Sequence, residues 1–534
     1  MSEERSLARG AAVITIATAL SRLTGFVRVI VVAAAMGTTF LANTYQTANT
    51  APNVVFELVA AGVLTSVFVP TFVDYLVKGR REEGWDAANA LASAALVALV
   101  ALSVVLALAA PWVMRLLTIG VTDPRLRSDE IALGSTFLRL FAPQVAFYGV
   151  GMIMTGALHA HRRFALPAFA PIFNNIVVIA VYLTYAAMRG SEEPSVGEIS
   201  DGEVLLLGAG TTAGVVAMTV CLVPQLARLG WRYRFRLDLG HPAVRRGARL
   251  GVWALGYAGG YQAGLIVVLL LANRIEGGVA AYQWAFTFFY LPHALFAIPI
   301  FHVLFTAMSE HAALGEEARF TERLSDGLGM LAFLLLPISG FLIAAAHVLI
   351  RVTLEYGVMT GAGSTQVARV LVAFAVGLPT YSAFLVLTRA FYAVGDVRTP
   401  ALVNAAAVAL ASALGAAFFF WFPDDRGVEG LALGHSVGFA VGSVLLGRVF
   451  RRRWGEHVSG ALVPRWGRAM LWTCVSALAA SALVGFAPGS TKPGAVASLV
   501  LAAAAAAVVY LVGMRLSGSP ELGRALSLLP GRAR

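Results

Sequence analysis

Charge is scarce in this chain of 534 residues: Asp, Glu, Lys and Arg together make up 13% of it, about half their share of a soluble domain. That scarcity excludes an ordinary soluble enzyme. Cysteine is rarer still, and Cys221 and Cys474 both fall inside apolar stretches, so neither a disulfide framework nor a metal cluster is expected. Lysine occurs only at positions 78 and 492; the other basic residues are arginine, a compositional bias shared with the abundant alanine. Walker A, His-Glu-x-x-His and Gly-x-Ser-x-Gly patterns are all missing, and the polar segments are too short to hold a nucleotide-binding domain. No catalytic residue, cofactor or metal is therefore expected, and energy for any transport must come from a gradient or from the substrate itself.

What the chain has instead is apolar length. Hydrophobic residues are 58% of it, in runs such as ALASAALVALVALSVVLALAAPWV and ASLVLAAAAAAVVYLVGM, each able to cross a hydrocarbon layer of about 30 Å. Run length and Pro, Gly and charge punctuation predict fourteen spans: 11–36, 45–76, 87–117, 131–158, 165–188, 203–227, 247–272, 279–308, 325–354, 364–393, 399–422, 428–447, 466–487 and 493–514. The first reads as a retained helix rather than a cleaved signal. The expected fold is an all-α polytopic membrane protein.

The formal charge of +11 resides in short loops, where it orients the chain and does not read nucleic acid. Of the 40 Lys and Arg residues, 27 fall on the side of both termini and nine on the other, with Arg22, Arg28, Arg139 and Arg389 inside or near spans. Cytoplasmic loops carry such an excess, so both termini are expected in the cytoplasm. Basic inner segments such as 228–249 could meet partners or anionic lipid headgroups.

The chain also matches itself weakly. YQTANT at 45–50 recurs as YQWAFT at 282–287, and RGA at 9–11 recurs at 246–248, both at a shift of 237. At a shift of 233, Tyr148, Thr155, Ala160, Pro167 and Ala168 align with Tyr381, Thr388, Ala393, Pro400 and Ala401. A displacement of six spans preserves orientation, so the expectation is two six-helix lobes related by a pseudo-two-fold axis along the membrane normal, followed by two extra C-terminal helices. The corresponding domains are 1–243, 244–455 and 456–534.

Two arginines stand out in span 1, because each costs about 2.5–3.5 kcal/mol at a helix centre on insertion scales. Arg22 and Arg28 are six residues apart, some 120° short of two full turns, and Gly25 lies between them. They can line one broad wall and address one anion; snorkelling, or pairing with an acid such as Glu57 on span 2, is the alternative. For Arg139 and Arg389 an interfacial role is favoured, and for His293 and His302 a bond to a neighbouring carbonyl. Pro52, Pro143, Pro292, Pro299, Pro337 and Pro379 are expected to interrupt their spans.

The stretch SRLTGFVRVIVVAAAMGTTFLANTYQTANTAPNVVFELVAAGVLTSVFVPTFVDYL resembles the first two spans of the lipid II flippases, the MurJ/MviN branch of the MOP exporter superfamily. LHAHRRFALPAFAPIFNNIVVIA at 158–180 and RAFYAVGDVRTPALVN at 389–404 are similar to further segments of that family. The resemblance implies a non-enzymatic flippase of the bacterial plasma membrane, moving the undecaprenyl-pyrophosphate-linked peptidoglycan precursor from inner to outer leaflet by alternating access. It also implies contact with membrane lipids and with cell-wall synthesis or division proteins. Arg22 and Arg28 match the family's diphosphate-binding arginines, Asn53 matches its Pro-Asn turn, and the lipid-tail groove maps to the last two spans. The chain departs from the pattern at Phe56 and Glu57, where many members are basic, at Thr287, where an arginine is expected, and at Asn43, where an acid is usual. Spans 7 and 11 lack the acids that hold sodium in some members, so sodium coupling is not expected. A flippase for another polyprenyl-linked glycan, or a non-transporting scaffold for cell-wall assembly, are the other readings.

Overall fold

The computed structural model describes residues 2–63, 81–190, 192–193, 195–231, 233–240, 242–455, 457–486 and 491–527. Among these the regular elements are all helices. Twelve are long and apolar enough to cross a membrane, making this a multi-pass membrane protein. Of the two remaining expected spans, 45–76 runs into undescribed residues after Val63, and 247–272 lies in a helix described side chain by side chain only in part.

The chain forms two compact units. The first is Met1–Val279 with Tyr356–Met359, and the second is Ala280–Glu355 with Thr360–Arg534. The first unit holds α1 (Ser2–Met36), α2 (Phe40–Val63), α3 (Arg81–Leu117), α4 (Pro124–Phe141), α5 (Gln144–Ala160), α6 (Ala165–Arg189), α7 (Asp201–Val220), α8 (Val223–Arg228) and α9 (Pro242–Ala272). The second contains most of α10 (Gly278–Pro292), then α11 (Ile298–Ala313), α12 (Glu317–Leu354), α13 (Gly361–Ala393), α14 (Arg398–Trp421), α15 (Gly427–Trp454), α16 (His457–Phe486), α17 (Lys492–Leu516) and α18 (Pro520–Ser527).

Helix starts follow local chemistry. Asp123 caps α4, its carboxylate accepting from the Arg125 and Leu126 amides with Pro124 in the first helical position, and Ser200 and Glu203 form a reciprocal capping box on α7.

Three spans expected as single helices are broken. Residues 131–158 divide between α4 and α5 at Ala142 and Pro143, and 203–227 divides at Cys221 and Leu222, just before Pro224. Residues 279–308 carry one π-helical turn, His293–Ala297, between Pro292 and Pro299. Proline does this by removing an amide and crowding the carbonyl four residues back.

The expectation of interruption fails at Pro52, Pro337 and Pro379, where α2, α12 and α13 continue. Two of these have a visible repair. Pro337 deprives the Phe333 carbonyl of its helical donor, and the Tyr510 hydroxyl of α17 donates to it at 2.9 Å. Pro379 frees the Ala375 carbonyl, which accepts from Ser339 Oγ of α12 at 2.6 Å. Both hydroxyls are buried, so each helix continues past its proline with a neighbour supplying the missing donor.

Helices α14 and α15 pack with glycine at their contact. Gly430, Gly434, Gly438 and Gly442 recur every four residues on one face of α15. A Cβ built at Gly434 would lie 2.3 Å from the Gly415 amide nitrogen, and one at Gly438 would lie 2.5 Å from Ala411 Cβ. Backbone therefore packs on backbone, as small residues permit where lipid offers no hydrophobic drive.

An aromatic pair recurs in the two units. Tyr45 meets Phe137 edge to face at 5.4 Å and 81°, and Tyr282 meets Phe374 at 4.9 Å and 66°. Each residue of the second pair lies 237 positions after its counterpart.

Candidate functional site

The geometry around Arg22 and Arg28 is set from α6. Asn175 Nδ2 donates to the Ser21 carbonyl at 3.3 Å and to Thr24 Oγ1 at 3.0 Å. Gly25 keeps that side of α1 low, with Asn175 Nδ2 3.6 Å from where its Cβ would stand. Asn175 is buried, and it fixes the rotation of α1 between the two arginines. The sequence signals this residue only as one of a polar pair, Asn174 and Asn175, inside an apolar run.

Arg22 is exposed and Arg28 is half-buried. Arg28 forms no ion pair among the described residues, and Glu57 on α2 is exposed, so the pairing considered from sequence is not made. The charge of Arg28 reaches the hydroxyls of Tyr45, Tyr148 and Tyr182. Tyr45 is fully buried, stacked edge-on against Phe137, Phe141 and Tyr182 at 5.3–5.8 Å, with its hydroxyl 2.6 Å from Thr211 Oγ1. Tyr148 packs on Phe56 at 5.2 Å. A half-buried guanidinium against this wall keeps its donors for an anion, because the wall offers it no carboxylate.

The remaining expected site residues are placed differently. Asn53, half-buried on α2, turns its amide to the Asn49 carbonyl at 2.8 Å. Asn43 is wholly buried, and both ends of its amide are taken: Nδ2 donates to the Ile275 carbonyl at 2.8 Å and Oδ1 accepts from the Val279 amide at 3.0 Å. It clamps the turn that follows α9. Beside it, Thr47 and Asn273 exchange hydrogen bonds, and Asn273 Nδ2 also donates to the Leu117 carbonyl. Thr287, in the second unit, bonds its own helix at the Gln283 carbonyl, 3.0 Å away.

Also in the second unit, His293 is buried and hydrogen-bonded to Ser382 Oγ at 2.8 Å, a hydroxyl rather than the expected carbonyl. His302 is exposed. The Arg389 guanidinium lies over the Phe301 and Tyr392 rings at 5.3 and 5.7 Å, and Arg139 is exposed. Beyond α13, the Asp396 carboxylate caps α14 through the Thr399 amide and hydroxyl and meets Arg453. Burial pushes that carboxyl up, but these hydrogen bonds outweigh it and hold it down at about 2.

Comparison with known proteins agrees with this architecture. The family model described as lipid II flippase MurJ matches residues 32–505. A probable lipid II flippase MurJ of Rhizobium meliloti is 27% identical over 526 residues, covering 96% of this chain and 95% of that protein. The lipid II flippase MurJ of Burkholderia cenocepacia is 28% identical over 447 residues, covering 82% of each chain. Among solved structures, a lipid II flippase MurJ in an inward closed conformation superimposes with a TM-score of 0.76 at 18% identity, covering 94% of this chain and 98% of that one. An inward-facing MATE-family multidrug resistance transporter of the MOP superfamily gives 0.66 at 13%, covering 84% and 98%. These structural likenesses carry the fold, and the proteins they join are transporters. With a family match spanning most of its length, the chain belongs to the lipid II flippase MurJ family.

Proposed function

We propose that this chain moves the undecaprenyl-pyrophosphate-linked peptidoglycan precursor, lipid II, from the inner to the outer leaflet by alternating access, with Arg28 and Arg22 binding the diphosphate. The observation that carries the reading is Arg28: a half-buried cation within a span, beside tyrosines, with no acid among the described residues to neutralise it. Asn53, Glu57 and Thr287 complete the substrate-facing set, and Asn43 serves it by holding the turn after α9.

The membrane arrangement proposed with it has fourteen spans, two six-helix lobes related by an axis along the membrane normal, a C-terminal pair, and both termini cytoplasmic. The domain limits are 1–243, 244–455 and 456–534. The recurring Tyr–Phe pairs at a spacing of 237 support the duplication, and the arginine distribution supports the orientation. Proteins of cell-wall synthesis and division are the proposed partners.

The test is accessibility of lipid-linked precursor to an outside-acting enzyme in cells depleted of their own flippase. Wild-type chain restores accessibility, while Arg28→Ala, inserted at equal level, loses it about ten- to a hundredfold, the worth of one hydrogen-bonded charge. Failure of well-inserted wild type to restore it refutes lipid II transport. Undiminished transport by Arg28→Ala refutes the arginine's role.

A further inference from the structure

The segment after α8 reads W-R-Y-R-F-R-L-D-L at 231–239, apolar and charged residues in alternation. Its described residues form no helix or strand, yet they are pinned to α3. Trp231 Nε1 donates to Asn89 Oδ1 at 2.9 Å, the Arg236 amide donates to Ser93 Oγ at 2.9 Å, and the Tyr233 hydroxyl lies 3.0 Å from the same Ser93 Oγ. Trp231 stacks on Trp85 at 5.8 Å, and Trp85 stacks on His161 at 5.3 Å. Three nearly parallel rings thus join this segment to the loop between α5 and α6.

Pinning leaves apolar side chains outward: Tyr233, Phe235, Leu237 and Leu239 are 45%, 62%, 49% and 65% exposed. Behind Trp231 and Tyr233 is a cavity of about 260 Å³, walled also by Ala92, Ile153, Met154 and Leu226. An apolar cavity of about 150 Å³ already holds a benzene-sized guest. Arg236 is held by Asp86 and Asp238, each at 3.5 Å. Arg228 and Arg234, each one or two positions from a lining residue, are exposed and form no ion pair among the described residues.

We propose that this surface is a binding site for an anionic phospholipid, one acyl chain entering the cavity and the phosphate meeting Arg228 and Arg234. The occupant must carry an apolar tail and an anionic head, and a membrane-embedded chain meets that chemistry in the bilayer around it. Loop arginines that merely orient a membrane protein need neither a cavity nor a ring stack to hold them. Exposed aromatics beside arginine match the headgroup level of a bilayer, where anionic lipids attract basic side chains.

The test uses the full-length protein in detergent, offered phosphatidylglycerol and phosphatidylcholine of identical chains in equal amount, with retained lipid counted by native mass spectrometry. Wild type retains phosphatidylglycerol preferentially. Arg228→Gln with Arg234→Gln lowers that preference by about twenty-fivefold, from about fivefold per arginine. Ala227→Leu, an exposed lining position filled without touching the core, lowers retention of both lipids while thermal unfolding stays unchanged. Equal retention of the two lipids by wild type overturns the proposal, as does a preference that survives in both variants. Displacement of phosphatidylglycerol by an equal concentration of undecaprenyl pyrophosphate also overturns it, since it gives the site to the transported lipid. None of these readouts depends on transport.

Discussion

Tyr510→Phe isolates one hydroxyl that keeps a proline-bearing helix intact. The phenyl ring retains its contact with Phe333, 5.7 Å between centroids, so the variant removes only the hydrogen bond to the Phe333 carbonyl. In water such a bond contributes about 1 kcal/mol, and between membrane helices measured values average about 0.6 and reach about 1.7 kcal/mol. The carbonyl left behind is buried and has no amide of residue 337 to fall back on, so the loss should sit at the upper end, about 1.5 kcal/mol. Reversible unfolding in mixed micelles, followed by tryptophan fluorescence, measures it. The decisive control is Pro337→Ala, which returns an amide to the Phe333 carbonyl. In that background Tyr510→Phe should lose most of its effect, a coupling of about 1 kcal/mol in the double-mutant cycle. Equal losses in both backgrounds would refute the view that Tyr510 stands in for the missing donor.

Gly434→Ala places a methyl against the Gly415 backbone, and α14 and α15 must part; a loss of about 2 kcal/mol or more is expected by the same unfolding assay, and no loss would mean the pair is looser than described. Asn43→Ala leaves the Val279 amide without its partner, at about 1–3 kcal/mol, while the Ile275 carbonyl keeps the Gly278 amide, and amide exchange at Val279 should quicken while α14 and α15 are unaffected. Asp396 titrates below its ordinary 3.8, so its stabilising contribution is complete above pH 4 and disappears as pH falls toward about 2. Asp396→Asn should therefore unfold at a lower temperature than wild type at neutral pH, with the gap narrowing in acid; a gap independent of pH would contradict the ion pair with Arg453.

The twelve long apolar stretches and the two odd charges of α1 could be read from the chain because they depend on residues close in sequence. What could not be read depends on partners far along it. Pro379 signals a break by every local rule, and only the arrival of Ser339, forty residues earlier and on another helix, lets α13 run through. Asn43 stands where the resembled family usually has an acid, yet its amide is spent on a turn more than two hundred residues away. Asn175 carried too weak a signal to be chosen, although it aims the arginines that were. The glycines at 430, 434, 438 and 442 were visible as a four-residue repeat, but the helix they receive was not. For the candidate site, the sequence offers residue types but not their orientation, since orientation comes from hydrogen bonds across helices.

Where Gly434 and Gly438 of α15 meet Gly415 and Ala411 of α14, the groups in contact have no side chain that can change rotamer. Most helix pairs adjust by exchanging rotamers, so that one can slip past the other as side chains regear; a joint made of main chain cannot regear. If the second unit moves during a transport cycle, these two helices must travel together as one beam. A crosslink between them should then leave transport intact, while the same crosslink across a side-chain-packed pair would arrest it.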